Sequence, residues 1–212
     1  MPDEKILDRV AFQMLEKHGL PVVRGSSCKS LHELEQKALE IGYPVVIKAD
    51  ANQAFHKSDA GAVQFVFSPS ELAEKYKLVI TGAEKRVPNI DSVIVQRLVS
   101  GKELFIGAQR DPDFGPVIMF GLGGRMVEAL DEVATRLIPI TERDAGEMLR
   151  ETRAWALLNS RDPDADKRAE QLTGILLKIS AMFESEGLKE LDINPIFVTK
   201  NGCFIADVRA LK

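Results

Sequence analysis

The C-terminal stretch "ELDINPIFVTKNGCFIADVRA" (Glu190–Ala210) constrains the fold more than any other part of the chain. Asn201-Gly202 separates two apolar runs, and this dipeptide supplies the positive backbone angles of a tight hairpin turn. A two-residue turn there sets Val198 opposite Ile205, Ile196 opposite Asp207 and Asn194 opposite Arg209. Directly opposed residues share a sheet face, as do alternate residues along one strand. Asn194 and Asp207 are therefore expected on one face, at the end of the hairpin away from the turn.

The rest of the chain alternates helical and extended patterns. Residues 3–17 carry Ile6, Leu7, Val10, Met14 and Leu15 at helical spacing, and Gly19 follows as a stop. "SLHELEQKALEIG" places Ser30 and Glu33 as a capping box, with Gly42 as terminator. "YPVVIKA" and "AVQFVF" read as strands, and "SPSE" at Ser68–Glu71 opens a helix running towards Ala83. "DSVIVQRLV", "ELFIGAQR" and "PVIMF" are expected as sequential strands of one antiparallel sheet. A short strand near Ala134–Ile138, a helix capped by Thr141 and a long helix over Asp166–Ser185 follow.

With 45% hydrophobic and 28% charged residues among 212, the chain can bury a core and is expected to fold as one domain of two lobes. A net charge of −4 without long like-charge blocks gives no footprint for nucleic acid, and nothing suggests a membrane surface. The two cysteines, Cys28 and Cys203, have no metal-ligand spacing and read as reduced thiols in a cytoplasmic protein. No membrane-spanning run or leader pattern points elsewhere.

Several residues have the chemistry of a phosphate and metal site. Lys48 closes "PVVIK" and is placed at a strand end, where its ammonium would meet either a phosphate or only solvent. His56, Lys57 and Ser58 add donors in the loop that follows, and Gly61 lets backbone approach a ligand. Asn194 and Asp207 offer hard oxygens of the kind Mg²⁺ takes while keeping water and nucleotide phosphates; Asp207 equally reads as a charge paired with Arg209 or Arg136. Asp192 stands two residues before Asn194. "GLGG" at Gly121–Gly124 matches neither a dinucleotide fingerprint nor a Walker A loop. His18 and His32 fall in predicted helices, which leaves His56 as the histidine in a loop suited to a reaction.

In order along the chain, "GYPVVIKAD", "HKSDAG", "VIVQRLVSGKELFIGAQRDPDFGPVIMFGLGG", "RLIPIT" and "ELDINPIFV" resemble the ATP-grasp domain of NDP-forming acyl-CoA synthetases, in particular the small β subunit of the ADP-forming acetate–CoA ligase type. The resemblance implies an α+β ATP-grasp fold, with a smaller lobe near residues 20–95, a sheet-rich lobe from about 96 onward and nucleotide between them. It implies that Lys48 holds phosphates and that His56, Lys57 and Ser58 cover them. Gln96, Arg97 and Leu98 would form the hinge that reads adenine, Glu103 would reach the ribose, and Asn194 and Asp207 would hold Mg²⁺. His56 occupies the position of a proposed phosphoryl relay, with Asp192, or else Glu190, orienting its ring. ATP and ADP would be substrates, and a CoA-binding α subunit with a mobile phosphohistidine would be the partner, since this chain has neither a Gly-His-Ala loop nor a CoA-binding glycine motif.

Ala62, Asn159 and Asp162 depart from glycines usual in the family, and Arg97 stands where an acidic or neutral residue is frequent. Two other readings stay open from the sequence. One is a detached ATP-grasp module that senses nucleotide; the other is an ATP-grasp ligase that activates a carboxylate directly.

Overall fold

The computed structural model describes residues 5–53, 57, 60–124, 133–159 and 164–212. The chain divides into two compact units, Met1–Ala11 with Val23–Val99 and Phe12–Val22 with Ser100–Lys212. His56, Ser58, Arg161 and Asp162 lie outside the described residues.

Strand β1 (Lys5–Ile6) and helix α1 (Asp8–Lys17) come first. The sheet of the first unit is built from β2 (Gly25–Cys28), β3 (Val45–Asp50), β4 (Val63–Val66) and β5 (Ser92–Arg97), in the order β2-β5-β3-β4 and antiparallel throughout. Helices α2 (Leu31–Ile41) and α3 (Leu72–Glu84) belong to the same unit. Alternation along the strands turns Val45, Ile47 and Ala49 of β3 and Val93 and Val95 of β5 to one face, where they cluster with Leu34, Ala38, Leu72, Val79 and Ala83 of the helices. Each fully buried aliphatic side chain contributes about 1.5–3 kcal/mol. The other sheet face carries Val46, Lys48, Asp50, Ile94 and Gln96.

The second unit contains β6 (Lys102–Asp111), β7 (Gly115–Leu122), β8 (Val133–Leu137), α4 (Glu142–Glu151), α5 (Arg153–Asn159), α6 (Ala165–Ser185), β9 (Glu190–Thr199), β10 (Gly202–Ile205) and β11 (Arg209–Leu211). Its strand order is β11-β9-β6-β7-β8, with β10 also on β9. Leu104, Ile106, Ile118, Phe120, Leu191, Ile193 and Ile196 form the apolar face of this sheet. The expected stripe of α6, Leu172, Ile175, Leu176, Ile179, Met182 and Phe183, is buried in full. Thr141 caps α4 in a complete capping box with Asp144.

Four expectations are corrected. The first helix starts at Asp8, because the N–H groups of Asp8 and Arg9 donate to the Asp50 carboxylate at 2.8 and 3.2 Å and fix its first turn there. The helix after Ser68 begins as a 3₁₀ turn over Pro69–Glu71. The run "DSVIVQRLV" does not share a sheet with the next two: β5 pairs β2 and β3, while β6 and β7 pair each other. Finally, the C-terminal turn is Lys200-Asn201, so Val198 faces Cys203 and Ile196 faces Ile205. The Thr199 hydroxyl accepts from Asn201 N–H at 3.0 Å and donates to the Gly202 carbonyl at 2.9 Å, which pins the turn one residue early.

Among the described residues no helix is long and apolar enough to cross a membrane. Cys28 and Cys203 are free thiols and buried. Burial, and then the charge of Glu33, pushes the Cys28 thiol up to about 11, and burial pushes Cys203 up to about 12. The folded chain therefore keeps these protons to higher pH than the unfolded chain, whose thiols ionise nearer 9. Unfolded chain is favoured as pH climbs through that window. We expect the urea midpoint to fall between pH 8 and pH 11, and the fall to be smaller in the Cys28→Ala/Cys203→Ala double variant; parallel curves for the two proteins would show that the thiols contribute nothing.

Candidate functional site

Lys48 is not at a strand end. Strand β3 continues through Ala49 and Asp50, which pair with Val93 and Ser92, and Lys48 itself lies opposite Ile94 and Val63. It is only 6% exposed, on the face away from the helix-packed core. Two residues along on the same face of the neighbouring strand comes Gln96, opposite Val46 and 3% exposed. Its room comes from a glycine: a Cβ on Gly25 would stand 2.6 Å from Gln96 Cγ and 2.7 Å from the Val95 carbonyl oxygen. After Gln96 the backbone N–H groups of Arg97 and Leu98 donate to the carbonyls of Arg24 and Pro44, at 3.1 Å each. Any base held by this segment meets other backbone atoms than those two.

The lysine of the loop after β3 is directed inward. Lys57 Nζ forms an ion pair with Asp8 Oδ2, the two side chains being 10% and 1% exposed. Lys5 Nζ donates to Asp8 Oδ1 at 2.8 Å and to the Ala51 carbonyl at 2.7 Å. The network ends at Asp50, whose carboxyl is held above the usual carboxylate range by burial and then by the charge of Asp8, against the two N–H bonds it accepts. Ala62, where the family has glycine, turns its methyl into the core cluster and donates its N–H to the Lys57 carbonyl at 2.8 Å.

On the second unit's sheet, the corrected hairpin register has a consequence. Arg209 pairs with Asp192, Ala210 with Leu191 and Leu211 with Glu190. Continuing the same pairing between Ile205↔Ile196 and Arg209↔Asp192 sets Asp207 opposite Asn194, where the sequence alone set Arg209. Leu191 and Ile193 point into the core, so Asp192 and Asn194 occupy the opposite face, together with Glu103 across from Phe197. The Asn194 Oδ1 accepts the Gly124 N–H at 2.8 Å and keeps a second lone pair. Gly124, at a φ of 65°, lies so close to Glu103 that an added Cβ would sit 2.0 Å from its Oε2, and a Cβ on Gly123 would sit 2.5 Å from the Leu104 carbonyl oxygen. The "GLGG" glycines thus let this turn lie against β6, a role that no phosphate motif announces.

Arg209 pairs with Glu190, and Arg136 reaches Glu151 at 2.5 Å. Glu190 is engaged by that arginine, and Asp192 is the carboxylate next along the face. His18 bonds Glu186 at 2.9 Å, just past the end of α1, and His32 bonds Gln36 at 3.1 Å. A carboxylate and an amide oxygen on one acidic face suit a hard cation that keeps other positions for water and phosphate. Among the described residues there is no cluster of three or more His, Cys, Asp or Glu side chains that would make a closed protein cage.

Two units, each a helix-backed antiparallel sheet with polar groups on its other face, are the layout of an ATP-grasp domain, and the family model for that domain matches residues 3–211. The β subunit of acetate–CoA ligase [ADP-forming] II from Pyrococcus furiosus is 39% identical over 209 residues, spanning 95% of this chain and 89% of its own. Acetate–CoA ligase [ADP-forming] I from Archaeoglobus fulgidus is 34% identical, but this chain spans only 30% of it. The dinucleotide-forming acetyl-coenzyme A synthetase 1 of Ca. Korarchaeum cryptofilum, in complex with coenzyme A and Ca-AMPCP, superposes with a TM-score of 0.88 at 34% identity, over 98% of this chain and 93% of that one. A second structure of that protein, with Mg-AMPPCP and its phosphohistidine segment pointing towards the nucleotide binding site, gives 0.79 at 32% identity over 98% and 92%. The chain belongs to the ATP-grasp family, in the branch that holds the β subunits of ADP-forming acetate–CoA ligases.

Proposed function

We propose that this chain is the nucleotide-binding subunit of an ADP-forming acyl-CoA synthetase. It would transfer a phosphoryl group between a phosphohistidine of a CoA-binding α subunit and ADP, within acyl-CoA + ADP + phosphate = acid + CoA + ATP. The observation that carries the reading is the hairpin register, which carried on from Ile205↔Ile196 to Arg209↔Asp192 opposes Asn194 and Asp207, in a chain that matches β subunits along nearly its whole length.

In this reading Lys48 holds the nucleotide phosphates, with His56, Lys57 and Ser58 covering them. Gln96, Arg97 and Leu98 receive the adenine and Glu103 the ribose. Asn194 and Asp207 hold Mg²⁺, which when bound neutralises phosphate charge. The neutral ring of His56 attacks the phosphorus of the α subunit's phosphohistidine, which is protonated on its other ring nitrogen; one P–N bond forms as the other breaks, the departing imidazole leaves neutral and the positive charge passes to the phosphorylated His56 ring. A β-phosphate oxygen of ADP then attacks the same phosphorus, releasing His56. Asp192 accepts the other ring N–H and so holds the attacking tautomer. Fixed positive charge at Lys48 stabilises the charge spread over the transferred group without reorganisation. The Korarchaeum structure, with its phosphohistidine segment pointing towards the nucleotide binding site, supports delivery of the phosphoryl group by a phosphohistidine that reaches the nucleotide.

The test incubates the chain with [γ-³²P]ATP, Mg²⁺ and a CoA-binding α subunit, and measures acid-labile label and ATP formation in the wild type and in His56→Ala. ATP formation should fall about 10³-fold in the variant with ADP affinity retained. Turnover at the wild-type rate would end the relay; ADP binding without any transfer in the wild type would mark a nucleotide-sensing module instead.

A further inference from the structure

We propose that Gly124 is a positioning residue for Asn194, its N–H deciding which end of the side-chain amide a cation meets; this rests on the reading of Asn194 and Asp207 as the Mg²⁺ ligands. An amide carries an oxygen that accepts and an NH₂ that only donates, and a half-turn of the group exchanges them. Only the oxygen suits a cation. A backbone N–H can bond only that oxygen, so the Gly124 N–H, 2.8 Å from Asn194 Oδ1, excludes the turned amide and still leaves the oxygen a lone pair.

Asn194 depends on this donor because of its place in the sheet. Leu104 pairs with Ile196 and Ile106 with Ile193, so Phe105 of β6 stands against both Asn194 and Pro195 of β9. Burial along β9 slips by one residue at the same point, from Leu191 and Ile193 to Ile196 and Val198. That is a bulge, which re-aims side chains and interrupts the ladder, and Pro195 has no N–H with which to restore it. The ladder places the Asn194 backbone; Gly124 settles its amide. The donor comes this close because two successive residues lack a Cβ. The Gly123 N–H donates to the Glu103 carbonyl at 2.8 Å, and a Cβ there would stand 2.5 Å from the Leu104 carbonyl oxygen. Gly124 has a φ of 65°, and its own Cβ would stand 2.0 Å from Glu103 Oε2. The last two glycines of "GLGG" thereby serve the cation site without touching the cation.

The experiment titrates Mg²⁺ in ATP formation with the CoA-binding α subunit at saturating ADP, for wild type, Gly124→Pro, Asn194→Asp, the Gly124→Pro/Asn194→Asp double variant and Asp207→Asn. Gly124→Pro removes the N–H and should raise the Mg²⁺ concentration for half-maximal rate about tenfold, with kcat at saturating Mg²⁺ within about threefold of the wild type. A carboxylate offers oxygen whichever way it turns. In the Asn194→Asp background the same change should therefore shift the curve less than about twofold. No shift in Gly124→Pro, or one equally large in both backgrounds, overturns the inference. Should Gly124→Pro not fold, Gly124→Ala, whose Cβ meets Glu103, takes its place under the same two outcomes. Hydrogen exchange of the Gly124 amide in the metal-free chain gives a readout independent of turnover. It should quicken about tenfold or more in Asn194→Ala and stay near the wild-type rate in Asn194→Asp; an unchanged rate in Asn194→Ala overturns the inference. An Asp207→Asn curve identical to that of the wild type would overturn the metal assignment itself and the inference with it, whereas a shift in Asp207→Asn without one in Gly124→Pro overturns the inference alone.

Discussion

Lys48→Met is expected to reduce ATP formation about 10²–10³-fold while leaving the chain folded with a thermal midpoint close to that of the wild type. The two parts of this expectation come from different physics. Lys48 is 6% exposed in the middle of β3, opposite Ile94 and Val63, so the side chain as a whole is buried. A desolvated point charge is costly to the fold and strong towards a ligand of opposite sign. Methionine keeps the length and flexibility of the stem and removes the desolvation cost. What it cannot do is neutralise phosphate. Steady-state kinetics with ADP varied, alongside a thermal melt, separates the two; a variant with wild-type kcat/KM would remove Lys48 from the site, and one that unfolds would show the ammonium to be structural.

Much of this arrangement was legible in the sequence, and the exceptions have identifiable causes. The α6 stripe and the Thr141 cap follow from periodicity and side-chain chemistry that act within a few residues. The hairpin was legible for the same reason, but its register depended on the Thr199 hydroxyl, a contact that competes with the Asn-Gly signal. The place of Lys48 in the strand was misread, because apolar content stops at Ala49 while the strand is prolonged by Asp50, whose carboxylate holds the start of α1. Gly25-Ser-Ser-Cys28 has no apolar alternation, so β2 gave no signal at all. Strand character says nothing about partners, which is why β5 was assigned to the wrong sheet. The pairing of Asp8 with Lys57 spans 49 positions and leaves no local pattern.

Asp207→Asn should be the most damaging change on the second unit's face. The substitution preserves size and one oxygen while removing the charge, so packing at the hairpin is retained and stability should change by less than about 1 kcal/mol. The loss falls on cation binding. Mg²⁺ gives up water reluctantly and relies on few protein ligands, and here the proposed pair is one carboxylate and one amide, the amide already accepting the Gly124 N–H. Asparagine at 207 would leave two neutral oxygens and no formal charge between them. Lewis-acid stabilisation is worth several kcal/mol, so ATP formation at fixed Mg²⁺ should drop about 10²–10³-fold, and the Mg²⁺ concentration for half-maximal rate should rise at least about tenfold. Asn194→Ala should show the milder version of the same shift, because it removes the proposed neutral ligand together with the acceptor that holds Gly124. Titrating Mg²⁺ at saturating ADP reads both effects. An Asp207→Asn protein with an unaltered Mg²⁺ curve would separate the opposed Asn194 and Asp207 from metal binding, and the acidic face of this sheet would then need another occupant.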